Sequence, residues 1–391
     1  MSNLKELDKQ YVANTYARFP VEITHGKGSL VYDETGKEYI DMGSGIGVTS
    51  FGICDDEWVK AVSNQLGKVQ HMSNLYYTEP CAKLAKLLCE KTGMSKVFFS
   101  NSGAEANECA IKVARKYAAE KKGADCNTII TLRNSFHGRT LTTLAATGQE
   151  HYHELFQPLT PGFGHIDAGK DIFELEAMAA HKKIAAVLIE CVQGEGGVIP
   201  LEAEFVQKLD EYCKANDILL MVDEVQTGNG RSGKMYAYMN FGIHPDVVTT
   251  AKGIGGGLPL GAAILSEKVA SVLGFGDHGS TYGGNPISCA GGVSVVERIT
   301  DELLCDVQKK SEYIFESLKG AEGVESVSGM GLMIGVKTKK PAIDIVKKCI
   351  EKGVLFLTAK DKVRLLPALN IPMDVLKKAI DILKDVCKED A

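Results

Sequence analysis

The chain has 391 residues, too many for one ordinary domain, so two or three domains are expected. Apolar residues make up 45% of the chain and charged residues 24%, a balance that excludes disordered and fibrous proteins. The formal net charge of -6 argues against nucleic acid as the main partner.

Cysteine usage and the apolar runs indicate the compartment. The eleven cysteines form no C-x-x-C pair and show no metal-ligand spacing, so reduced thiols and no metal site are expected. No apolar run approaches the length of a membrane span, and the opening MSNLKELDKQ lacks the apolar stretch of a signal peptide. These features predict a cytoplasmic protein with no membrane partner.

The first elements along the chain are a hairpin and a strand–helix unit. Residues 31–40 predict a β-hairpin with its turn at 34–37. Lys96–Ser100 predicts a short buried strand, and the helix after it begins near Ser102, which has capping-box spacing to Glu105.

Further strands follow at regular intervals. Ile184–Ile189 and residues 218–222 are continuous apolar runs, which are typical of strands covered on both faces. Strands are also predicted at 246–250 and 261–266, with an amphipathic helix around Phe205 between the first and second of the four. This alternation predicts an α/β domain with a mostly parallel central sheet.

After about residue 285 the pattern changes. Long charged helices near 287–319 and 373–388 flank short strands near 332–336 and 363–366, which predicts a smaller α+β domain. The predicted division is an N-terminal segment, 1–45, packing with the small domain, a large domain, 46–285, and a C-terminal small domain, 286–391.

Two polar residues end buried strands of the predicted sheet. Asp223 follows an apolar run, at the sheet edge where ligands bind in open α/β folds. It is a candidate metal ligand, base or partner of a cationic ring nitrogen, or simply a helix cap or salt bridge. Lys252 also follows a strand and precedes a glycine-rich turn that is neither a Walker A loop nor a dinucleotide fingerprint. Partial burial makes such an amine a nucleophile, whereas the alternative is a purely structural turn.

Two further segments suit an anionic, planar ligand. Ser102, Gly103 and Ala104 begin a helix, whose first backbone N–H groups bind anions, although an ordinary capped helix has the same pattern. Phe136 can stack on a ring and Arg139 can grip a carboxylate, or they can be a core residue and a surface ion pair. Together with the lysine and the aspartate, these are the parts that pyridoxal 5'-phosphate (PLP) requires.

Nine segments, in this order, carry a family resemblance: 41–46, 73–77, 101–107, 136–140, 193–197, 223–228, 252–261, 279–286 and 364–367. They resemble the motifs of the class III aminotransferases of PLP fold type I, and among these the members that act on acetylornithine. The resemblance covers about residues 16–384 and implies that fold, with its α/β large domain and a small α+β domain built from both termini.

The resemblance implies roles in the cofactor site. Lys252 would hold PLP as a Schiff base and shuttle a proton. Asp223 would pair with the pyridinium nitrogen, with Glu224 and Val225 beside it in the cofactor site, and Gln226 would hydrogen-bond the ring hydroxyl.

It also implies a ring-stacking role for Phe136 and phosphate binding by the amides of Gly103 and Ala104. Thr281, with Ser280 beside it, would reach the phosphate and substrate in the other subunit's site. A homodimer with shared active sites is therefore expected.

Three charged residues would bind substrate. Arg139 would bind a substrate carboxylate, Arg364 the α-carboxylate of glutamate, and Glu195 would cover Arg364 when the donor has no carboxylate next to its amine. The implied reaction moves the terminal amino group of N-acetylornithine to 2-oxoglutarate, giving glutamate, as a step of arginine biosynthesis. The alternatives are a relative that uses succinylornithine, ornithine, GABA or an acylated lysine precursor, an aminomutase, and a non-catalytic PLP-binding protein.

Two segments depart from relatives. The usual Gly-His-x-His-Pro stretch is replaced within residues 51–58, which we interpret as altered surface packing rather than an altered entrance. Residues 44–48 lack the tyrosine that ornithine aminotransferases place there, which favours an acylated substrate.

Overall fold

The fold is described from a computed structural model, for residues 4–389. Its helices are α1 (Leu4–Tyr11), α2 (Ser44–Gly47), α3 (Asp56–Leu66), α4 (Glu79–Thr92), α5 (Gly103–Lys122), α6 (Leu141–Ala146), α7 (Phe173–Ala179), α8 (Ala203–Ala215), α9 (Pro286–Glu297), α10 (Asp301–Leu318), α11 (Ala342–Glu351) and α12 (Met373–Glu389). Single 3₁₀ turns lie at Glu150–Tyr152, Ala237–Asn240 and Lys252–Gly255.

The strands are β1 (Ile23–Lys27), β2 (Leu30–Asp33), β3 (Glu38–Asp41), β4 (Lys96–Ser100), β5 (Thr128–Leu132), β6 (Phe163–Ile166), β7 (Ile184–Ile189), β8 (Val192–Gln193), β9 (Ile199–Pro200), β10 (Leu219–Asp223), β11 (Val247–Thr250), β12 (Gly261–Leu265), β13 (Val324–Met330), β14 (Met333–Thr338), β15 (Val354–Leu355), β16 (Leu357–Ala359) and β17 (Lys362–Leu365). The hairpin predicted at 31–40 is β2 and β3, in antiparallel register.

The central sheet has the strand order β4-β12-β11-β10-β7-β5-β6. Only β12 runs against its neighbours β4 and β11, and the other paired strands are parallel. The predicted mostly parallel α/β sheet is therefore confirmed.

Both faces of this sheet are covered, which explains its continuous apolar strands. In β10, Leu219 and Met221 pack in a core with α5, while Leu220 and Val222 pack on the opposite face with Phe205 of α8. Because alternate side chains leave a strand on opposite faces, each layer of helices receives every second residue.

A second core joins the two ends of the chain. Val31 and Ile40 pack with residues of α10, α11 and α12, and β15 pairs in parallel with β3 through Val354 and Ile40. A four-stranded antiparallel sheet, β13-β14-β17-β16, completes this part. The predicted smaller α+β domain, built from both termini, is confirmed.

The prediction of a long helix near 287–319 is wrong in one respect, because this range contains two helices. Helix α9 ends at Glu297, and Thr300 caps the start of α10 by accepting a hydrogen bond from the backbone N–H of Leu303. Cys289 and Val296 of α9 pack in the large core. The division at 285 stays a prediction, and this packing favours a boundary after residue 299.

Two consecutive glycines lie inside α9, where each costs about 1 kcal/mol relative to alanine. A Cβ at Gly292 would lie 2.8 Å from Leu84 Cδ2, so the missing side chains let α9 approach α4 and the turn Lys252–Gly255 closely.

None of the helices between residues 4 and 389 has the length and apolar content needed to cross a membrane.

Candidate active site

A cavity of about 520 Å³ lies at the carboxyl edge of the central sheet. Strands β5, β7, β10 and β11 end there, so the residues after each strand converge. The predicted residues that line the cavity are Gly103, Ala104, Phe136, Arg139, Glu195, Asp223, Val225, Gln226 and Lys252.

Asp223 is almost fully buried and holds its carboxylate in a set of hydrogen bonds. Oδ2 accepts from Asn107 Nδ2 and lies 2.8 Å from His137 Nδ1, while Oδ1 accepts from the N–H of Val225. Thr249 Oγ1 in turn donates to Asn107 Oδ1 at 2.7 Å. This network fixes the orientation of the carboxylate and supports its negative charge.

Lys252 begins the turn after β11 with a φ of +49°, in the left-handed region. For a residue other than glycine such a conformation costs about 1–3 kcal/mol and persists where the surroundings enforce it. Burial lowers the pKa of Lys252, although the Glu195 carboxylate opposes the effect. Among residues 4–389 the amine has no hydrogen-bond partner, so it is available to react.

The start of α5 forms a cradle for an anion. Ser102 Oγ accepts from the N–H of Glu105 at 3.2 Å, so the first two amides, of Gly103 and Ala104, face the cavity without an acceptor in their own helix. A Cβ at Gly103 would lie 2.7 Å from both methyl groups of Val225. Only glycine therefore lets the helix start lie this close to the residues after Asp223, and the cradle suits a phosphate group.

An ion pair borders the cavity on the side of the small domain. Arg364 Nη1 donates to Glu195 Oε1 at 2.6 Å and to Gln226 Oε1 at 3.2 Å, and Gln226 Nε2 donates to Glu195 at 3.3 Å. Burial opposes ionisation of Glu195, but the Arg364 guanidinium outweighs it and lowers the pKa of the carboxyl. The Glu195 carboxylate is thus paired with the Arg364 guanidinium, and the side-chain amide of Gln226 hydrogen-bonds to both.

Arg139 lies at the exposed rim of the cavity. Its guanidinium stands 4.8 Å from the ring centre of Tyr152 and 5.7 Å from that of Phe136. Within the described part of the chain no carboxylate forms a salt bridge with it. Two aromatic rings thus hold a cation that has no anionic partner, which is the arrangement a carboxylate ligand needs.

Four predicted site residues are not part of the cavity lining: Arg364, which reaches it through Glu195, and Glu224, Ser280 and Thr281. Glu224 turns inward, where its carboxylate accepts from Thr227 Oγ1 and from the N–H of Tyr238, and burial raises its pKa to about 7. Ser280 and Thr281 line a neighbouring surface cavity. Asn101 borders both cavities and donates to Ser280 Oγ at 3.2 Å.

Glu190 lines the cavity and is absent from the predicted site. Its two carboxylate oxygens accept from the N–H groups of Phe136 and Gly194, at 2.9 and 3.3 Å, and burial strongly raises its pKa. It follows the apolar strand β7 directly, and Asp223 likewise ends the apolar strand β10. The rule that selected Asp223 therefore also points to Glu190.

Residues 11–387 match the aminotransferase class-III family. The chain belongs to the class-III aminotransferases. An acetylornithine aminotransferase of Haemophilus ducreyi is 49% identical over 388 residues, which is 99% of this chain and 98% of the relative. The predicted family is confirmed.

Solved structures share the fold of this class-III aminotransferase. The ornithine aminotransferase of Toxoplasma gondii ME49 has a TM-score of 0.95 at 30% identity, covering 100% of this chain and 96% of that one. A second Toxoplasma gondii structure of that enzyme, with PLP at partial occupancy in its active site, has a TM-score of 0.93 at 31% identity and covers 99% and 94%.

Asn107→Asp tests the network around Asp223. The substitution places a second carboxylate about 3 Å from Asp223, where both cannot ionise, so one folded-state pKa rises above its unfolded value near 4. The variant should therefore lose stability progressively as pH rises from about 4, by about 1.4 kcal/mol for each unit of pKa shift.

Urea unfolding between about pH 4 and 8 measures this loss. Asn64→Asp, at an exposed position of α3, is the matched control and should follow the wild-type pH dependence. A variant at residue 107 that shows the same stability difference at both ends of the range would contradict the network.

Proposed function

We propose that this aminotransferase moves the terminal amino group of N-acetylornithine to 2-oxoglutarate, with PLP bound through Lys252. The observation that carries the proposal is the Glu195–Arg364 pair, which masks a carboxylate-binding cation beside the reactive lysine. The name of the Haemophilus ducreyi relative supports the choice of substrate.

The residues present fit PLP. The helix start at Gly103 and Ala104 suits the phosphate, Asp223 suits a cationic ring nitrogen, and the unpartnered amine of Lys252 suits the aldehyde. When bound, PLP supplies an electron-withdrawing ring that stabilises negative charge on the reacting carbon. The PLP in the active site of the Toxoplasma gondii enzyme supports this assignment.

The side chains of the chain have separate tasks in the proposed reaction. Lys252 would take a proton from the amine-bearing carbon of the donor and return it to the carbon that receives the amino group. Phe136 would pack on one face of the ring, and Asp223, held by Asn107 and His137, would place its carboxylate beside the ring nitrogen. Gln226 would donate to or accept from the ring hydroxyl.

The ion pair explains how one site accepts two donors. N-acetylornithine presents an amine with no adjacent carboxylate, so Glu195 can stay on Arg364 while Arg139 binds the distant carboxylate. Glutamate has a carboxylate next to its amine, which needs Arg364 unmasked. Alternation between the two donors therefore requires only that the Glu195 carboxylate move away from the Arg364 guanidinium.

Val48 favours an acylated donor. It is the member of the segment 44–48 that lines the cavity, and its apolar side chain offers no hydrogen bond to a free α-amino group. An acyl head has no such charge to satisfy, which supports acetylornithine over ornithine.

Single-turnover reactions with a panel of amines test the function. The PLP-loaded protein should lose its visible absorption rapidly with acetylornithine and glutamate, and slowly with ornithine, GABA and succinylornithine. Lys252→Ala should slow both fast reactions by about 10²–10⁴-fold, because it removes the proton carrier. Equal rates with ornithine or GABA would move the substrate assignment to a relative, and undiminished rates in Lys252→Ala would overturn the role of the lysine.

Glu195→Gln tests the ion pair. Without the carboxylate, Arg364 remains unmasked, so the acetylornithine half-reaction should fall about tenfold, an energy of about 1.4 kcal/mol, while the glutamate half-reaction is maintained. Stopped-flow absorbance on each half-reaction measures the split. Glu211→Gln, on the exposed side of α8, is the matched control, and equal losses in both half-reactions would contradict the masking role.

The exposed apolar surface supports a homodimer with shared sites. Segment 66–77 packs against 279–285 through hydrogen bonds from Asn74 Nδ2 to Ser280 O and Gly283 O. The large exposed side chains of this patch are Leu66, Val69, Met72, Leu75, Tyr76, Tyr77 and Tyr282. Such a patch fits a second copy of the chain, to whose site Ser280 and Thr281 would contribute.

Tyr77→Asp tests the dimer. Tyr77 is fully exposed in the single chain, so a buried charge there should split the dimer and release PLP. Sedimentation velocity measures the mass, and visible absorbance the bound cofactor. Phe173→Asp, at another exposed aromatic, should stay dimeric, and a dimeric Tyr77→Asp variant would place the interface elsewhere.

We also place the enzyme in the cytoplasm. The eleven cysteines, which all lie within residues 4–389, form no disulfide there, and seven of them are buried. A reducing compartment keeps thiols in this state, which supports the assignment.

A further inference from the structure

The segment 51–58, which departs from related sequences, and Ser50 before it lie against the turn that carries Lys252. Ser50 Oγ donates to the carbonyl of Gly253 at 3.0 Å, and Trp58 Nε1 donates to the carbonyl of Gly255 at 3.1 Å. The same two carbonyls accept from the N–H groups of Gly256 and Leu258 within the turn. One segment therefore fixes both acceptors that shape the chain after the lysine.

The indole of Trp58 occupies a space made by glycines. A Cβ at Gly256 would lie 2.6 Å from Trp58 Nε1, and one at Gly291 of α9 would lie 2.8 Å from the same atom. The ring is thus wedged between the lysine turn and α9, in contact with two positions that have no side chain.

The wedge is itself held in place. Asp55 caps α3 by accepting from the N–H of Trp58, which puts the indole in the first turn of that helix. Arg298, at the end of α9, pairs with Asp55 at 2.8 Å and stacks over Phe51 at 3.9 Å. The segment therefore joins α9 to the lysine turn, and its packing differs from the surface role that its sequence indicated.

We propose that Trp58 is a positioning residue that holds the turn 252–257 in the conformation that directs the Lys252 amine into the cavity. Lys252 stands in the left-handed region, so its backbone needs support from outside the turn. Trp58 contacts the turn at Gly255, Gly256 and Gly257 without lining the cavity itself. The inference rests on the proposed role of Lys252.

Two substitutions at residue 58 test it. Trp58→Phe keeps an aromatic ring and removes the N–H donor, and Trp58→Val removes most of the wedge. Val59→Ala, at the adjacent exposed position of α3, is the matched control. The first readout is hydrogen exchange of the Gly256 and Leu258 amides in the protein without cofactor, which is independent of any reaction.

Trp58→Phe should speed exchange of these two amides about fivefold, the effect of one lost hydrogen bond. In the loaded enzyme it should shift the midpoint pH of the visible band of the lysine-bound cofactor. It should also lower kcat roughly ten- to a hundredfold, with KM for glutamate nearly unchanged. The Val59→Ala variant should match the wild type throughout.

Unchanged exchange in both residue-58 variants would overturn the proposal, as would faster exchange with an unchanged band midpoint and kcat. If Trp58→Val does not fold, Trp58→Phe decides alone. Failure of the proposed function is distinguishable, because it would appear as an undiminished rate in Lys252→Ala while the exchange measurement still reports the contact.

Discussion

A charged carboxylate buried at the centre of an α/β domain determines much of this structure. Asp223 would cost several kcal/mol if it were left unpaired. Its partners come from three places: Asn107 from α5, His137 from the loop after β5, and the N–H of Val225 from its own turn. The hydrogen bonds that stabilise this charge therefore also hold the start of α5 and the loop after β5 in position around Asp223.

The remaining charges of the pocket are arranged around this one. Glu190 is satisfied by two backbone N–H groups and Glu195 by Arg364, so both carboxylates are occupied by the protein itself. The amine of Lys252 has no such partner within residues 4–389, and burial lowers its pKa. The result is a nucleophile whose neighbouring carboxyl groups are already engaged, which suits imine chemistry with an anionic cofactor.

Much of the fold and site could be predicted because the signals are local. The apolar run Ile184–Ile189 and the polar residues that end such runs, Asp223 and Lys252, indicate a parallel sheet and its ligand edge directly. The pairing of Asp223 with Asn107 and His137 could not, since it joins residues 116 and 86 positions apart and depends on tertiary packing. The break between α9 and α10 was missed because helical period continues through it, and only the cap at the start of α10 marks it.

The position of Trp58 beside the turn 252–257 has a consequence for the fluorescence of the protein. Trp58 is the single tryptophan of the chain, and its ring touches the turn that would carry the cofactor. All indole fluorescence of the protein therefore comes from this one side chain. It lies next to the site of a cofactor that absorbs near the emission wavelength of tryptophan. Occupancy of the site and movement of the turn can be followed through this emission in the unmodified enzyme, with no label attached.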